Sequence, residues 1–151
     1  MNTDMTRRQM LVASMLAAAS FSPLVKLLAA EKTHGGGSVD AGELAGFAKD
    51  AIYPNFAGQG FFVVRKDGRL FAEASRCTHK NGELIARGDG FVCRKHGSTF
   101  TVAGHVTKGP AREDLPQFGI SLDDRKHVLV DTAKVFRSGE YESKDAFLVL
   151  D

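Results

Sequence analysis

Both cysteines of the 151-residue chain lie in two short segments, Cys77-Thr78-His79 and Cys93-Arg94-Lys95-His96, with thirteen residues between them. Each segment pairs one thiol with one imidazole across a short gap, and together they offer enough soft and borderline donors to hold a metal centre. Three chemistries use such a set. A structural zinc site has the right donors, but its pairs normally run C-x₂₋₄-C and H-x₃₋₅-H, not mixed. A disulfide between Cys77 and Cys93 suits an exported chain and leaves both histidines without a task. A cluster of two irons and two sulfides employs all four groups when two His replace two Cys on one iron. In that case each segment supplies one ligand to each iron.

Something must hold the two segments side by side. Phe61–Arg65 and Leu70–Ser75 flank Lys66-Asp67-Gly68-Arg69, and Asp-Gly between apolar runs signals a hairpin. Turns follow at Asn81-Gly82, Gly88-Asp89-Gly90, Ala103-Gly104 and Asp123-Asp124. Short apolar stretches lie among them: Phe91-Val92, Thr99–Val102, Phe118/Ile120/Leu122, His127–Val130 and Phe147–Leu150. One short helical pattern places Leu44, Phe47, Ala48 and Ala51 on a common face. Many short strands with frequent turns predict an all-β fold, an antiparallel β-sandwich or barrel. With 43% hydrophobic and 25% charged residues the chain can bury one core, and its length allows one domain with a tail. That domain is expected over 40–151.

The N-terminus has Arg7-Arg8 ahead of an uncharged run through Ser22, a secretory pattern that looks like a twin-arginine (Tat) signal. Residues 1–30 read as this signal, with cleavage near Ala29–Ala30, or else as an uncleaved anchor interrupted by Pro23 and Lys26. Residues 31–39, with Gly35-Gly36-Gly37-Ser38, read as a flexible linker. The formal charge of +2 comes from Met1–Ala30, and the rest balances 17 basic against 17 acidic residues. Bulk charge therefore argues against nucleic acid, and membrane contact is expected only if the first thirty residues stay attached. His34, His105 and His127 read as surface or turn residues. Arg76, Lys80, Arg87, Arg94 and Lys95 form a basic surplus over Glu83 and Asp89 around the two segments.

The pattern resembles the Rieske [2Fe–2S] family over roughly residues 40–131. Cys77-Thr78-His79 is similar to its first box, Cys93-x-x-His96-Gly97-Ser98-x-Phe100 to its second, and Gly109-Pro110-Ala111 with Leu115-Pro116 to the loop that follows. The resemblance implies one [2Fe–2S] cluster per chain, with Cys77 and Cys93 on one iron and His79 and His96 on the other. It implies a small cluster-binding subdomain on a larger antiparallel base, and a Ser98 hydroxyl bonded to a bridging sulfide. The chain also departs from the high-potential members. Gly82 and Lys95 stand where those carry a disulfide-forming Cys pair, Lys80 replaces an apolar residue, and Phe100 replaces a Tyr. By resemblance the chain is a one-electron carrier or small subunit of a periplasmic oxidoreductase, similar in layout to the Rieske subunit of arsenite oxidase and not an autonomous enzyme. Its partners would be a redox protein donor and acceptor, including a larger catalytic subunit. Alternatives are a membrane-anchored subunit of a quinol–cytochrome c oxidoreductase at the periplasmic face of the inner membrane, a dioxygenase ferredoxin, and a zinc-stabilised interaction module.

Overall fold

A computed structural model describes residues 37–150; the export signal and His34 lie outside them. Among the described residues eleven strands make two antiparallel sheets. The larger is ordered β1 (Ser38–Glu43), β10 (His127–Phe136), β9 (Gln117–Leu122), β4 (Arg69–Ala74), β3 (Phe61–Lys66), β2 (Ala51–Tyr53), with β11 (Phe147–Val149) also on β4. The smaller is β5 (Leu84–Arg87), β6 (Gly90–Cys93), β7 (Thr99–Thr101), β8 (Val106–Lys108). The smaller sheet interrupts the larger between β4 and β9, which makes it a subdomain mounted on a base. No helix among the described residues is long and apolar enough to cross a membrane.

The mounting follows from four consecutive apolar residues. Phe61, Phe62, Val63 and Val64 are all buried, and successive side chains on a strand point to opposite faces. Phe61 and Val63 join the base core with Phe47, Leu70, Ile120, Val128 and Val130. Phe62 and Val64 join the core beneath the subdomain with Leu84, Phe91, Phe100 and Leu115. The Phe62 and Phe91 rings stack at 5.0 Å, joining β3 to β6. β3 and β4 turn at Asp67 (φ 50°) and Gly68 (φ 74°), the paired left-handed conformation of a two-residue hairpin.

Three details differ from the sequence reading. Ser38 and Val39, placed in the linker by composition, pair with β10. The helical pattern at 44–51 becomes one 3-10 turn, Leu44–Phe47, followed by strand β2. Burial of Phe47 and pairing of Ile52 with Val64 outweigh a periodicity too short to sustain an α-helix. β5 and β8 form from Leu-Ile-Ala-Arg and Val-Thr-Lys, which carry no clear alternation.

Glu73 is fully buried on β4. Its Oε1 accepts from Gln117 Nε2 at 2.8 Å, while Oε2 has no partner and abuts the backbone of Gly104. Burial pushes its carboxyl well above the usual range, the Gln117 bond only partly opposing and Asp114 adding to the rise. A raised native pKa gives stability that is complete below the unfolded value, ~4.3, and is lost as pH climbs toward the native one. Thermal midpoints should therefore fall between pH 5 and pH 8 in the wild type. Glu73→Gln should flatten that slope, its advantage growing with pH. Parallel midpoint curves for the two proteins would contradict this.

Candidate metal centre

The first segment follows β4 in a tight loop. The Cys77 N–H donates to the Gly82 carbonyl at 2.8 Å, and Arg76 bridges to Glu83. Lys80 (φ 59°) and Asn81 (φ 50°) take the left-handed turn positions. Gly82 is needed for a different reason from the turn expected at Asn81-Gly82. A Cβ there would stand 2.6 Å from Cys93 Sγ and 3.1 Å from Lys95 Cβ. The second segment leaves β6 in the same way: Cys93 N–H donates to Ser98 O at 2.8 Å, with Gly97 left-handed at φ 73°. Arg94 N–H donates to Glu83 O at 2.9 Å and fastens the loops together.

A third loop, Gly109 to Pro116, closes over both. Thr78 Oγ1 donates to the Glu113 carbonyl at 2.7 Å, and the Ala111 N–H donates to Ser98 Oγ at 3.0 Å. Asp114 anchors this loop from below. Its Oδ1 accepts from the Val106 N–H at 2.8 Å, and Oδ2 accepts from His105 Nδ1 at 2.9 Å and Ser138 Oγ at 2.7 Å. Burial opposes ionisation of Asp114, but the bonds from His105, Val106 and Ser138 prevail and hold its carboxyl below the usual range. Nothing in the sequence pointed to Glu113 or Asp114, and Thr78 entered only as the residue between Cys77 and His79. A threonine and two acids in a loop look like solvated surface until the backbone brings their partners to them.

The four donor residues meet as two pairs. Cys77 and Cys93 are buried, unbridged and close enough for their thiols to interact. Burial pushes the Cys77 thiol up, opposed by the His79 N–H on its sulfur at 3.4 Å and by the Ser98 hydroxyl. At Cys93 burial also favours the thiol, but N–H donors from His96 and Lys95 bring it down. Above this pair the His79 and His96 rings lie edge to face, 4.9 Å between centroids, with His96 exposed and His79 half-buried. Desolvation and then the charges of His96, Lys80 and Lys95 lower the His79 pKa and favour its neutral form. Its Nδ1 is buried with no hydrogen-bond partner.

Among the described residues no three His, Cys, Asp or Glu side chains converge on one ion. Thiols pair below and imidazoles pair above instead, the arrangement a two-iron cluster with two Cys and two His would use. The orphaned Nδ1 of His79, the N–H donors aimed at both sulfurs and the bare Cα of Gly82 all fit such a group. Ser98 is buried, and with its Oγ accepting from Ala111 its hydrogen remains for a sulfur. Phe100 is buried in the core beneath and offers no donor. His105 and His127 are engaged by Asp114 and Asp40 away from this centre.

The Rieske [2Fe-2S] domain family matches residues 34–119, and the chain belongs to it. The family binds a single [2Fe–2S] cluster, and a Rieske domain implies electron transfer through it. The cytochrome b6-f complex iron-sulfur subunits 1 and 2 of Nicotiana tabacum chloroplasts are each 34% identical over 85 residues. The match takes in 53% of this chain but only 37% of each of those subunits. Among solved structures, the cyanobacterial plasma membrane Rieske protein PetC3 of Synechocystis PCC 6803 is 26% identical with a TM-score of 0.47, covering 62% of this chain and 99% of that one. A complex of reduced oxygenase and oxidized ferredoxin in carbazole 1,9a-dioxygenase gives 20% identity and the same TM-score of 0.47, covering 66% of this chain and 95% of that one.

Proposed function

We propose that the chain is an exported one-electron carrier, or the small subunit of a periplasmic oxidoreductase, in which Cys77 and Cys93 bind one iron and His79 and His96 the other. The observation that carries this reading is the buried thiol pair together with an imidazole pair whose His96 is exposed and whose His79 Nδ1 is buried without a partner. When bound, the cluster stores one electron, passing from a net charge of zero to −1 with neutral imidazoles. The chain's own residues prepare for that charge. Backbone N–H groups and Ser98 donate toward the sulfurs, the Phe62–Phe91–Phe100 core keeps water from the thiols, and the third loop clasps both ligand loops. Residues 1–30 serve as a twin-arginine signal, which supports a periplasmic location, and the linker ends where strand β1 begins at Ser38. Anchoring in a quinol oxidoreductase is the second reading, favoured by the identity to the b6-f subunits. It is disfavoured by Lys80 at the tip and by Gly82 facing Lys95 where a disulfide would stand.

The exposed face beside His96 carries Lys80 and Lys95. Lys80→Glu plus Lys95→Glu should slow electron transfer to an acidic copper protein about tenfold at low salt and flatten its salt dependence. The cluster's visible spectrum should be unchanged. Equal rates and equal salt slopes in stopped-flow measurements would remove this face as the electron port.

A further inference from the structure

Glu73 lies on the same face of β4 as Phe71, the face turned to the subdomain. Its cross-strand neighbours are Phe62 on β3 and Gln117 on β9, and it is wholly buried between them. Gln117 Nε2 holds Oε1, but no group among the described residues reaches Oε2. What lies over Oε2 is a turn. Gly104, between β7 and β8, is left-handed at φ 79°, and a Cβ there would come within 2.6 Å of that oxygen. The same glycine holds the third loop, since its carbonyl accepts from the Leu115 N–H at 2.8 Å. Leu115 is fully buried, and its own carbonyl accepts from the Tyr141 hydroxyl at 2.6 Å. We propose that Glu73 is a positioning residue for the third loop, whose proton keeps the Gly104 turn seated and whose ionisation releases Leu115 and opens the loop over the metal centre. The inference rests on the two-iron reading only for what the loop covers.

A neutral carboxyl that lacks one hydrogen bond is a modest burden in a core, whereas a carboxylate in the same place is a heavy one. Sheet closes on Glu73 from the β3 and β9 sides, so relief must come where the cover is a turn. A cleft of about 370 Å³ lies against that turn, with Phe71, Ala103, His105, Gln117 and Tyr141 on its wall. Ala103 and His105 are the chain neighbours of Gly104, so swinging the turn aside opens Oε2 to the cleft and its solvent. The other titratable groups around Glu73 are Asp114, His105 and Tyr141; Phe62 and Gln117 carry no charge. Burial of Asp114 is outweighed by its bonds from His105, Val106 and Ser138, so it stays ionised and opposes a second negative charge nearby. His105 Nδ1 is engaged by Asp114. Burial, then the charges of Glu73 and Asp114, raise Tyr141 and keep it a phenol that donates to Leu115. Opening the turn therefore frees one proton, from Glu73. The opening constant should rise about tenfold per pH unit, from the free carboxyl value of ~4.3 up to the native one.

The test follows hydrogen–deuterium exchange of the metal-loaded chain between pH 5 and pH 8, corrected for intrinsic amide rates, with metal release to a chelator measured in parallel. In the wild type, protection of the third loop should fall about tenfold per pH unit until the native value is passed, and metal release should quicken with it. In Glu73→Gln the exchange protection should stay level and the quickening of release should be lost. Glu73→Met, equally unable to ionise, takes its place if the amide disturbs the fold. β3 is bonded on both edges in the base sheet and reports opening of the whole base. At every pH the third loop should be less protected than β3. Equal protection of the two would mean that Glu73 acts only through unfolding of the whole chain, and would overturn the proposal. A slope that survives in both variants would place the titration at His105 and Asp114, and would overturn it too. The exchange slope belongs to the polypeptide, so a chain that proves to hold zinc fails the two-iron reading and not this one.

Discussion

Gly82→Ala is expected to cut cluster loading to well below half in this chain, where Lys95 stands against Gly82. The added methyl would meet Cys93 Sγ at 2.6 Å and Lys95 Cβ at 3.1 Å, and neither neighbour can give way cheaply. The sulfur is buried and held by N–H donors from His96 and Lys95, while the glycine's own carbonyl is committed to the Cys77 N–H. Relief must come from moving one ligand loop away from the other. Overpacking of this kind costs about 1–3 kcal/mol in an ordinary core, but here it also spreads the thiol pair. Anaerobic reconstitution should give iron well below half of the wild-type content. Gly46→Ala is the control, since nothing lies within 4 Å of that position, and it should load normally. Full iron with an unaltered visible spectrum in Gly82→Ala would mean that the loops do not need this approach.

The second large effect concerns the imidazoles. His79→Cys plus His96→Cys should drive the reduction potential down by at least ~250 mV, from the Rieske range of about −150 to +300 mV to near −400 mV, the value of all-Cys plant-type clusters. Two neutral ligands become two thiolates, so the added electron enters a centre already more negative by two charges. At about 59 mV per decade, that is more than a ten-thousandfold change in the one-electron equilibrium. Protein-film voltammetry on the double variant and both single variants should show a stepwise fall. A potential that stays within the starting range while the cluster remains bound would remove the histidines from the ligand set.

The candidate donor residues stand out in the sequence because both cysteines of the chain fall beside a histidine at short spacing, and the fold brings the two thiols together and the two imidazoles together. The central hairpin was equally legible, since Asp67-Gly68 has few other uses between apolar runs. What stayed hidden depends on contacts between residues far apart in sequence. Thr78 finds Glu113 and Ser98 finds Ala111 only after the third loop folds back. β8 exists because β7 offers it a partner, not because Val-Thr-Lys prefers to be extended. Gly82 shows both sides of this. Its identity marked the loss of a disulfide position, yet only the structure reveals that a side chain there would strike the Cys93 sulfur. The buried Glu73 has no sequence signature at all, for an acid amid Leu-Phe-Ala-Glu-Ala reads as the polar face of a strand.

The central claim is that two thiols and two imidazoles of this chain together hold one two-iron cluster. Iron, zinc and acid-labile sulfide should be measured on anaerobically purified protein, followed by EPR after reduction. The account predicts about two irons and two sulfides per chain and a reduced signal with the low average g of a Cys/His-ligated cluster. One zinc per chain with no labile sulfide would contradict it.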